Sequence, residues 1–291
     1  MEGDRNMTRI RSAVVGVVAL ALVGVAAACT PPAAVTKNVT FKADQVTVNN
    51  SQDETCVFSI CANSNDEPYI ITVNFRVKIG QANSAEAWVV KGDANGSVGA
   101  GQTHVSTGNQ QGAVNFNGVQ SVDILDALQP GATLEILGSY VWAAEEDNIN
   151  SLSIGASGVA TILKDVLNST VATAAIPSDA NALVNLALNA VLGNIGSALK
   201  TLVSNIPCAG LCDDVLGGAF YIGLGVGGTL GDLVNQVIAG VNFPSVAIPV
   251  IDVPPDVNGG GLYTLTGGKT FTQSFSGAGG QHTWKFSTAV A

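Results

Sequence analysis

Three pairs of adjacent acidic residues carry the oxygen atoms that a hard cation needs. The pairs are Asp53-Glu54, Asp66-Glu67 and Asp213-Asp214. A Ca²⁺ ion takes about six to eight oxygen ligands, which converging loops can supply. The chain has no calcium-binding loop of the EF-hand type, so solvated loop acids are the favoured interpretation and a calcium site is the alternative. The sequence predicts no other cofactor.

The cysteines indicate disulfides in an exported protein. The chain contains Cys29, Cys56, Cys61, Cys208 and Cys212. Without Cys29 an even four remain, and four cysteines allow three pairings. Crossed pairing would close long loops and bring the three acid pairs together, whereas local pairing closes two short loops. We favour local pairing, because the turn at 207–212 can bend back on itself. Zinc is less favoured than a disulfide outside the cytoplasm.

The N-terminal residues are typical of an export signal. Met7–Arg11 is basic, and Ala13–Ala28 is an uncharged apolar run that ends in three alanines before Cys29. This run is shorter than the roughly 20 residues of a membrane-spanning helix. We therefore predict a signal peptide over 1–28 and a tether over 29–35. Two outcomes stay open: a lipoprotein acylated at Cys29 on the outer face of the membrane or in the cell wall, or a released, secreted protein.

Composition excludes two broad classes of protein. The 291 residues include 12 Lys and Arg against 22 Asp and Glu, for a formal charge of −10. A nucleic-acid partner is not predicted, because neutralising phosphates needs clustered Lys and Arg. Disorder is not predicted either, because 47% of the residues are hydrophobic and can form a core.

Residues 36–147 alternate like the strands of a sandwich. In Pro68–Ile79 the apolar residues fall on one face and Thr72, Asn74, Arg76 and Lys78 fall on the other. This pattern predicts a half-buried antiparallel strand. Further strands are predicted at 35–48, 85–91, 113–124 and 133–143. Short strands at this spacing suggest an antiparallel β-sandwich, the first part of which is 36–147.

Residues 148–251 are rich in Ala, Gly and Leu and predict a hydrophobic helical insertion. Helices are expected at 159–174, 182–206 and 229–241, the second capped by Ser178 or Asp179. Residues 252–291 alternate again and are expected to complete the sandwich. The predicted fold class is mainly β with an α insertion (α+β). The alternative is two separate domains.

Two glycine-rich segments resemble phosphate-binding motifs and are given other interpretations. Gly223–Gly228 matches the dinucleotide pattern of three spaced glycines, but we expect no parallel βαβ unit around it. Gly267–Thr270 lacks the first glycine of a P-loop and is predicted to be a hairpin turn. The histidines suggest no nucleophilic site, since His282 lies on the apolar face of a strand and His104 in a loop. No residue is assigned a catalytic role.

A resemblance to a protein family rests on three features. They are Ser64–Ile70, Asp213–Gly217 and a final strand that carries Trp284. In these the chain resembles uncharacterised secreted actinobacterial proteins with a calcium-domain-like β-sandwich. The resemblance implies a sandwich fold and no established activity.

The sequence therefore predicts an exported cell-envelope protein with a non-catalytic binding or structural role. A first alternative is a membrane-active or pore-associated protein acting through the apolar segments at 159–206 and 216–241, where small residues permit close approach of backbones. A second alternative is a secreted carbohydrate-active enzyme, for which Glu135, Glu145, Glu146 and Asp147 are available. The ligand is unknown, and the expected partners are an envelope component or a membrane.

Overall fold

Strands form most of the regular structure that is described, and the described α-helices lie between residues 151 and 238. The computed structural model describes residues 35–51, 54–57, 60–63, 65–123, 133–146, 151–190, 214–243, 257–277 and 279–291. The strands are β1 (Thr36–Asn50), β2 (Glu54–Val57), β3 (Ile60–Asn63), β4 (Pro68–Lys78), β5 (Glu86–Lys91), β6 (Thr103–Val105), β7 (Val114–Gln120), β8 (Glu135–Glu145), β9 (Val215–Leu224), β10 (Val257–Thr264), β11 (Thr270–Gly277) and β12 (Gly280–Val290). The helices are α1 (Ser151–Thr170), α2 (Ala180–Leu188) and α3 (Gly228–Ile238), and a 3₁₀ helix covers Gly108–Gln111.

The strands pair into two five-stranded sheets and a separate hairpin. Sheet 1 has the order β11-β12-β1-β6, and β7 also pairs with β1. Sheet 2 has the order β10-β9-β8-β4-β5, and β2 pairs only with β3 among the described strands. The protein is thus mainly β and sandwich-like, as the sequence predicts. It departs from a purely antiparallel sandwich because β10 runs parallel to β9.

Sheet 2 is the middle layer and is covered on both faces. The odd-numbered residues of β4, such as Ile71 and Phe75, share a core with Leu163 and Leu167 of α1. Ile70 on the opposite face of β4 shares a second core with Trp284 of sheet 1. The prediction of a half-buried strand at 68–79 was therefore wrong about its polar face, which sheet 1 covers. A strand that is buried on both faces can still alternate between apolar and polar residues, so alternation alone does not show that one face meets water.

The helical interpretation of 148–251 needs a correction at β9. The three helices lie in this range, but β9 is a strand between β8 and β10 in sheet 2. Its residues are almost all buried, so the sequence lacks the alternation that marks a half-exposed strand. Its glycines admit neighbouring rings, since a Cβ at Gly217 would lie 2.6 Å from Phe275 and one at Gly223 would lie 2.6 Å from Tyr263. The rings that pack against these glycines belong to the same chain.

The helix boundaries follow local signals in the sequence. Asp179 is the N-cap of α2, and its Oδ1 accepts a hydrogen bond of 2.9 Å from the backbone N–H of Ala182, as predicted. The predicted helix at 229–241 is confirmed as α3. The predicted helix at 159–174 begins earlier, at Ser151. Residues 191–206 of the second predicted helix lie outside the described part of the chain.

The predicted hairpin at Gly267–Thr270 was wrong. Strands β10 and β11 do not pair with each other: β10 pairs with β9, and β11 pairs with β12. Residues 265–269 therefore cross from sheet 2 to sheet 1. Two consecutive strands of a hairpin and two strands in facing sheets have the same alternation, so the sequence pattern alone does not distinguish them.

Candidate functional site

Asp66 is the predicted calcium ligand that the structure describes most fully, and its carboxylate faces protein partners. Its Oδ1 accepts a hydrogen bond of 2.6 Å from the hydroxyl of Ser51, and its Oδ2 lies 2.7 Å from Nε2 of His282. Both Asp66 and His282 are completely buried. The backbone of Asp66 also pairs with that of Val98. Asp66 therefore contacts three other segments of the chain, through Ser51, Val98 and His282.

The Ser51, Asp66 and His282 side chains do not form the arrangement of a nucleophilic triad. In a triad the histidine accepts the proton of the serine, and the aspartate orients the histidine. Here the serine contacts the aspartate, and Nδ1 of His282 has no hydrogen-bond partner among the described residues. His282 lies on the inner face of β12 beside Trp284, which confirms the prediction of a packed histidine. The arrangement fixes strands rather than activating a hydroxyl.

The remaining predicted calcium ligands are partly described. The carbonyl oxygens of Glu67 and Asp214 accept hydrogen bonds from the backbone of Glu146 and Glu145, so the structure brings these two acidic segments to the end of β8. Glu54 lies in β2, whereas Asp53 and Asp213 are outside the described residues. Among the described residues no three His, Cys, Asp or Glu side chains are grouped to hold a metal ion. A calcium site stays a prediction.

The cysteines are described only in the hairpin of β2 and β3. The backbone register places Cys56 directly opposite Cys61, with Val57 opposite Ile60 at the turn. Opposite residues in an antiparallel pair have Cα atoms about 4.5–5.5 Å apart, within the range that a disulfide spans. Cys29, Cys208 and Cys212 lie outside the described residues.

The acidic residues considered for carboxylate catalysis have internal contacts. Glu135 is buried, and its Oε2 lies 2.5 Å from a guanidinium nitrogen of Arg76. Arg76 also donates a hydrogen bond of 3.1 Å to the carbonyl of Asn117. Glu146 forms an ion pair of 2.9 Å with Lys91. Glu145 is buried at the end of β8, and Asp147 lies outside the described residues. These contacts link β4 to β8 and to β7, and β5 to the residue that follows β8.

The structure corrects one expectation about Gly223–Gly228. These glycines connect β9 to α3, and β10 follows as a parallel neighbour of β9, so the chain does form a parallel βαβ unit here. In such a unit the N-terminal amides of the helix bind the phosphates of a nucleotide. Here Oδ1 of Asp123 accepts a hydrogen bond of 2.9 Å from the N–H of Leu230. The protein's own carboxylate occupies the position that a phosphate would take.

The outer face of sheet 1 carries a row of hydroxyl groups. Ser274, Thr283, Thr47 and Thr103 are successive cross-strand neighbours on β11, β12, β1 and β6. We call these four residues the hydroxyl row. The oxygens of Ser274 and Thr283 lie 2.9 Å apart, and those of Thr47 and Thr103 lie 2.8 Å apart. Asn49 donates a hydrogen bond of 2.6 Å to Thr283. The row presents uncharged donors and acceptors along one line.

Sequence reasoning missed the hydroxyl row because its members are spread over four strands. The available signal was local: the outward positions of β11 are Thr270, Thr272, Ser274 and Ser276. Such a pattern predicts a solvated polar face. The alignment of this face with Thr47 and Thr103 depends on the strand order and register, which the sequence alone does not provide.

An open groove lies between the end of α3 and the segment that crosses between the sheets. Its volume is about 330 Å³. The lining residues are Asn235, Ile238, Ala239, Tyr263, Thr264, Thr266, Gly267, Gly268 and Lys269. Pockets for small molecules begin at roughly this size, about 300 Å³.

Comparison of the chain with protein-family models, with curated proteins and with solved structures finds no match. Among the helices that the structure describes, none combines the length and the apolar character needed to cross a membrane.

Proposed function

We propose that this protein is exported to the cell envelope and binds a neutral polysaccharide along the hydroxyl row, without a catalytic step. The observation that carries the proposal is the alignment of four hydroxyl side chains across four strands of sheet 1. Neighbouring strands lie about 4.8 Å apart, so the row extends across the sheet at regular intervals.

The chemistry of the row matches an uncharged polyol. Each hydroxyl is one donor and two acceptors, and a rotating O–H can serve a neighbour or a ligand. The row contains no charged residue, so it offers hydrogen bonds without requiring a charged partner. A linear polysaccharide lying across the strands would meet Ser274, Thr283, Thr47 and Thr103 in order.

In this proposal the helices belong to the scaffold. Residues of α1 and α3 share the core on the face of sheet 2 that points away from sheet 1. The described helices α1 and α3 therefore cover the face of sheet 2 that is opposite to the side where sheet 1 packs. The predicted calcium site has no part in this mechanism.

Export is the second part of the proposal and rests on the N-terminal sequence. The predicted tether at 29–35 leads into β1, the strand that carries Thr47. Acylation of Cys29 would hold sheet 1 at the membrane surface among envelope polymers. The intact mass of the protein from an actinobacterial host tests this directly. A diacylglyceryl group on a chain that begins at Cys29 is the expected result, and a chain that retains residues 1–28 would overturn it.

Affinity electrophoresis in gels that contain dextran, a neutral glucan, tests the binding proposal. The native protein should be retarded in proportion to dextran concentration. The variant Thr283→Val keeps the shape of the side chain and removes the hydroxyl that contacts Ser274 and Asn49, and we expect it to lose most of the retardation. Thr161→Val on the exposed surface of α1 is the matched control. Equal retardation of the two variants would contradict a site at the hydroxyl row.

The same gels prepared with other polymers separate a neutral from a charged ligand. Carboxymethylcellulose presents carboxylates on a comparable glucan backbone. The proposal expects stronger retardation by neutral glucans, including hydroxyethylcellulose, than by carboxymethylcellulose. Failure of every neutral polymer to retard the native protein would overturn the proposed function.

A further inference from the structure

The segment between β10 and β11 is fixed at both ends. The N–H of Leu265 donates a hydrogen bond of 2.9 Å to the carbonyl of Val226. At the other end, the N–H of Lys269 donates to the hydroxyl of Thr288 at 2.9 Å, and the N–H of Thr288 donates to the carbonyl of Lys269 at 2.8 Å. The groove beside this segment is therefore preformed.

One wall of the groove is a small network of polar side chains. Thr264 is 2% exposed, and its hydroxyl donates to Oδ1 of Asn235 at 3.2 Å. Nδ2 of Asn235 donates to the hydroxyl oxygen of Thr266 at 3.1 Å. The hydroxyl oxygens of Thr264 and Thr266 lie 2.9 Å apart. Because the proton of Thr264 goes to Asn235, the O–H of Thr266 donates to Thr264 and would exchange this acceptor for a ligand. Thr266 is exposed, and its hydroxyl can turn toward a ligand in the groove.

The charged group of the groove is Lys269. Its ammonium donates a hydrogen bond of 2.8 Å to the carbonyl of Leu262 and lies 5.4 Å from the ring centre of Phe271. Burial lowers the pKa of Lys269, because the charged form loses contact with water. Within the described part of the chain, no carboxylate lies within 4.0 Å of this nitrogen. An ammonium has three N–H donors, and those not used by Leu262 are available to a ligand.

We infer that this groove binds a small oxyanion, with Lys269 supplying the positive charge and Thr266 a hydroxyl donor. The lining residues include one cation and no carboxylate, which favours an anion. The volume of about 330 Å³ suits a small ligand. Carboxylate and phosphate share the required chemistry, since both present several oxygens to charge-assisted donors. The site is separate from the hydroxyl row and does not depend on the proposed function.

Two probes distinguish the sources of the oxyanion. Isothermal titration calorimetry with inorganic phosphate and with acetate should show saturable binding of at least one. Preference for phosphate would assign a phosphorylated ligand, and preference for acetate would assign a carboxylate. Absence of saturable binding of both probes would overturn the inference.

Two variants test the residues of the site. Lys269→Gln should weaken binding of the preferred probe about tenfold or more, the loss expected for one charge-assisted hydrogen bond. Thr266→Val should weaken it less, because a neutral donor is lost. Lys164→Gln, which removes an exposed lysine of α1, is the matched control and should bind like the native protein. Unchanged affinity of Lys269→Gln would overturn the inference.

A readout of charge separates direct binding from a structural effect. NMR of ¹³C-labelled lysine side chains reports the titration of Lys269. A bound anion favours the ammonium, so the probe should raise the pKa of Lys269. The ¹³C signals of Lys164 should not respond to the probe. A pKa of Lys269 that does not respond to a saturating probe would place the anion elsewhere.

Discussion

His282 and Asp66 are 216 residues apart in the chain, yet Nε2 of His282 lies 2.7 Å from Oδ2 of Asp66. Both side chains are completely buried. The contact joins β12, one of the two central strands of sheet 1, to the segment that precedes β4 of sheet 2. A polar link between the two sheets thus lies inside the sandwich, where water does not compete with it.

The Asp66→Ala variant should be strongly destabilised. It leaves the hydroxyl of Ser51 and Nε2 of His282 without their acceptor in a buried site. We expect a loss of about 2–4 kcal/mol in the free energy of unfolding, measured by urea denaturation. Ser51→Ala removes only the serine contact and should cost about 1 kcal/mol. Equal, small effects of both variants would contradict a structural role for the pair.

Removal of the Asp123 carboxylate should weaken the start of α3. Asp123 accepts the N–H of Leu230, and a negative charge at a helix N-terminus is favourable. We expect Asp123→Ala to lower the free energy of unfolding by about 1–2 kcal/mol. Asp93→Ala, at an exposed position, is the control and should change it by less than about 0.5 kcal/mol. Matching urea midpoints for the two variants would show that Asp123 does not cap the helix.

An added methyl group should not fit at Gly223. Its Cβ would lie 2.6 Å from Cζ of the buried Tyr263. Because a packed core resists extra volume, Gly223→Ala should lower the free energy of unfolding by about 1–3 kcal/mol. Gly267→Ala is the control, since nothing lies within 4 Å of its added Cβ. Thermal unfolding followed by circular dichroism compares the two, and a stable Gly223→Ala protein would show that Tyr263 can move aside.

The stability of the protein should fall in alkaline solution. Burial raises the pKa of the hydroxyls of Tyr221 and Tyr263 above their ordinary value. The folded state therefore keeps protons that the unfolded state releases above about pH 10. Their contribution is fully present below pH 10 and is lost as the pH rises further.

Urea unfolding at pH 8.5 and at pH 11 measures this effect. The double variant with Tyr221→Phe and Tyr263→Phe should lose less stability between the two values than the native protein does. Absorbance at 295 nm gives a second measurement, because ionisation of these tyrosines should coincide with unfolding. An identical alkaline loss in the double variant would assign the loss to other groups.

The proposed export predicts a disulfide between Cys56 and Cys61. These residues are opposite each other in the hairpin of β2 and β3, at a separation that a disulfide spans. Peptide mapping without reduction should recover the two residues in one linked species, and reduction should add two hydrogens to it. Recovery of Cys56 linked to Cys208 or Cys212 would instead establish the crossed pairing.

The sequence predicted strands in which apolar and polar residues alternate, but it did not predict a strand that is apolar on both faces. Alternation identified β4 and β12, and the Asp179 cap identified α2. Strand β9 was missed, because it is enclosed on both sides and its glycines accept aromatic rings from other strands. Its parallel partner β10 lies within the range 252–291 that was expected to complete the sandwich, but only the end of β10 was predicted as a strand, and its place in sheet 2 depends on contacts with β9.

The candidate sites were harder to predict than the strands. Asp66 was singled out as a metal ligand, but its partners are Ser51 and His282, and the second of these is far along the chain. The hydroxyl row and the groove beside Lys269 combine residues from several strands. Their individual side chains are ordinary surface residues in sequence, and the topology alone brings them together.

The pairing of β1 with β12 has a consequence for biogenesis. Contacts such as that between Asn49 and Thr283 join residues 234 positions apart, so β1 lacks its longest partner until nearly all of the chain has emerged. Such distant pairing makes folding slow and leaves β1 open to wrong pairing in the meantime. The edge of β1 that pairs with β12 is therefore exposed longest during synthesis, and aggregation of incomplete chains is expected to begin there.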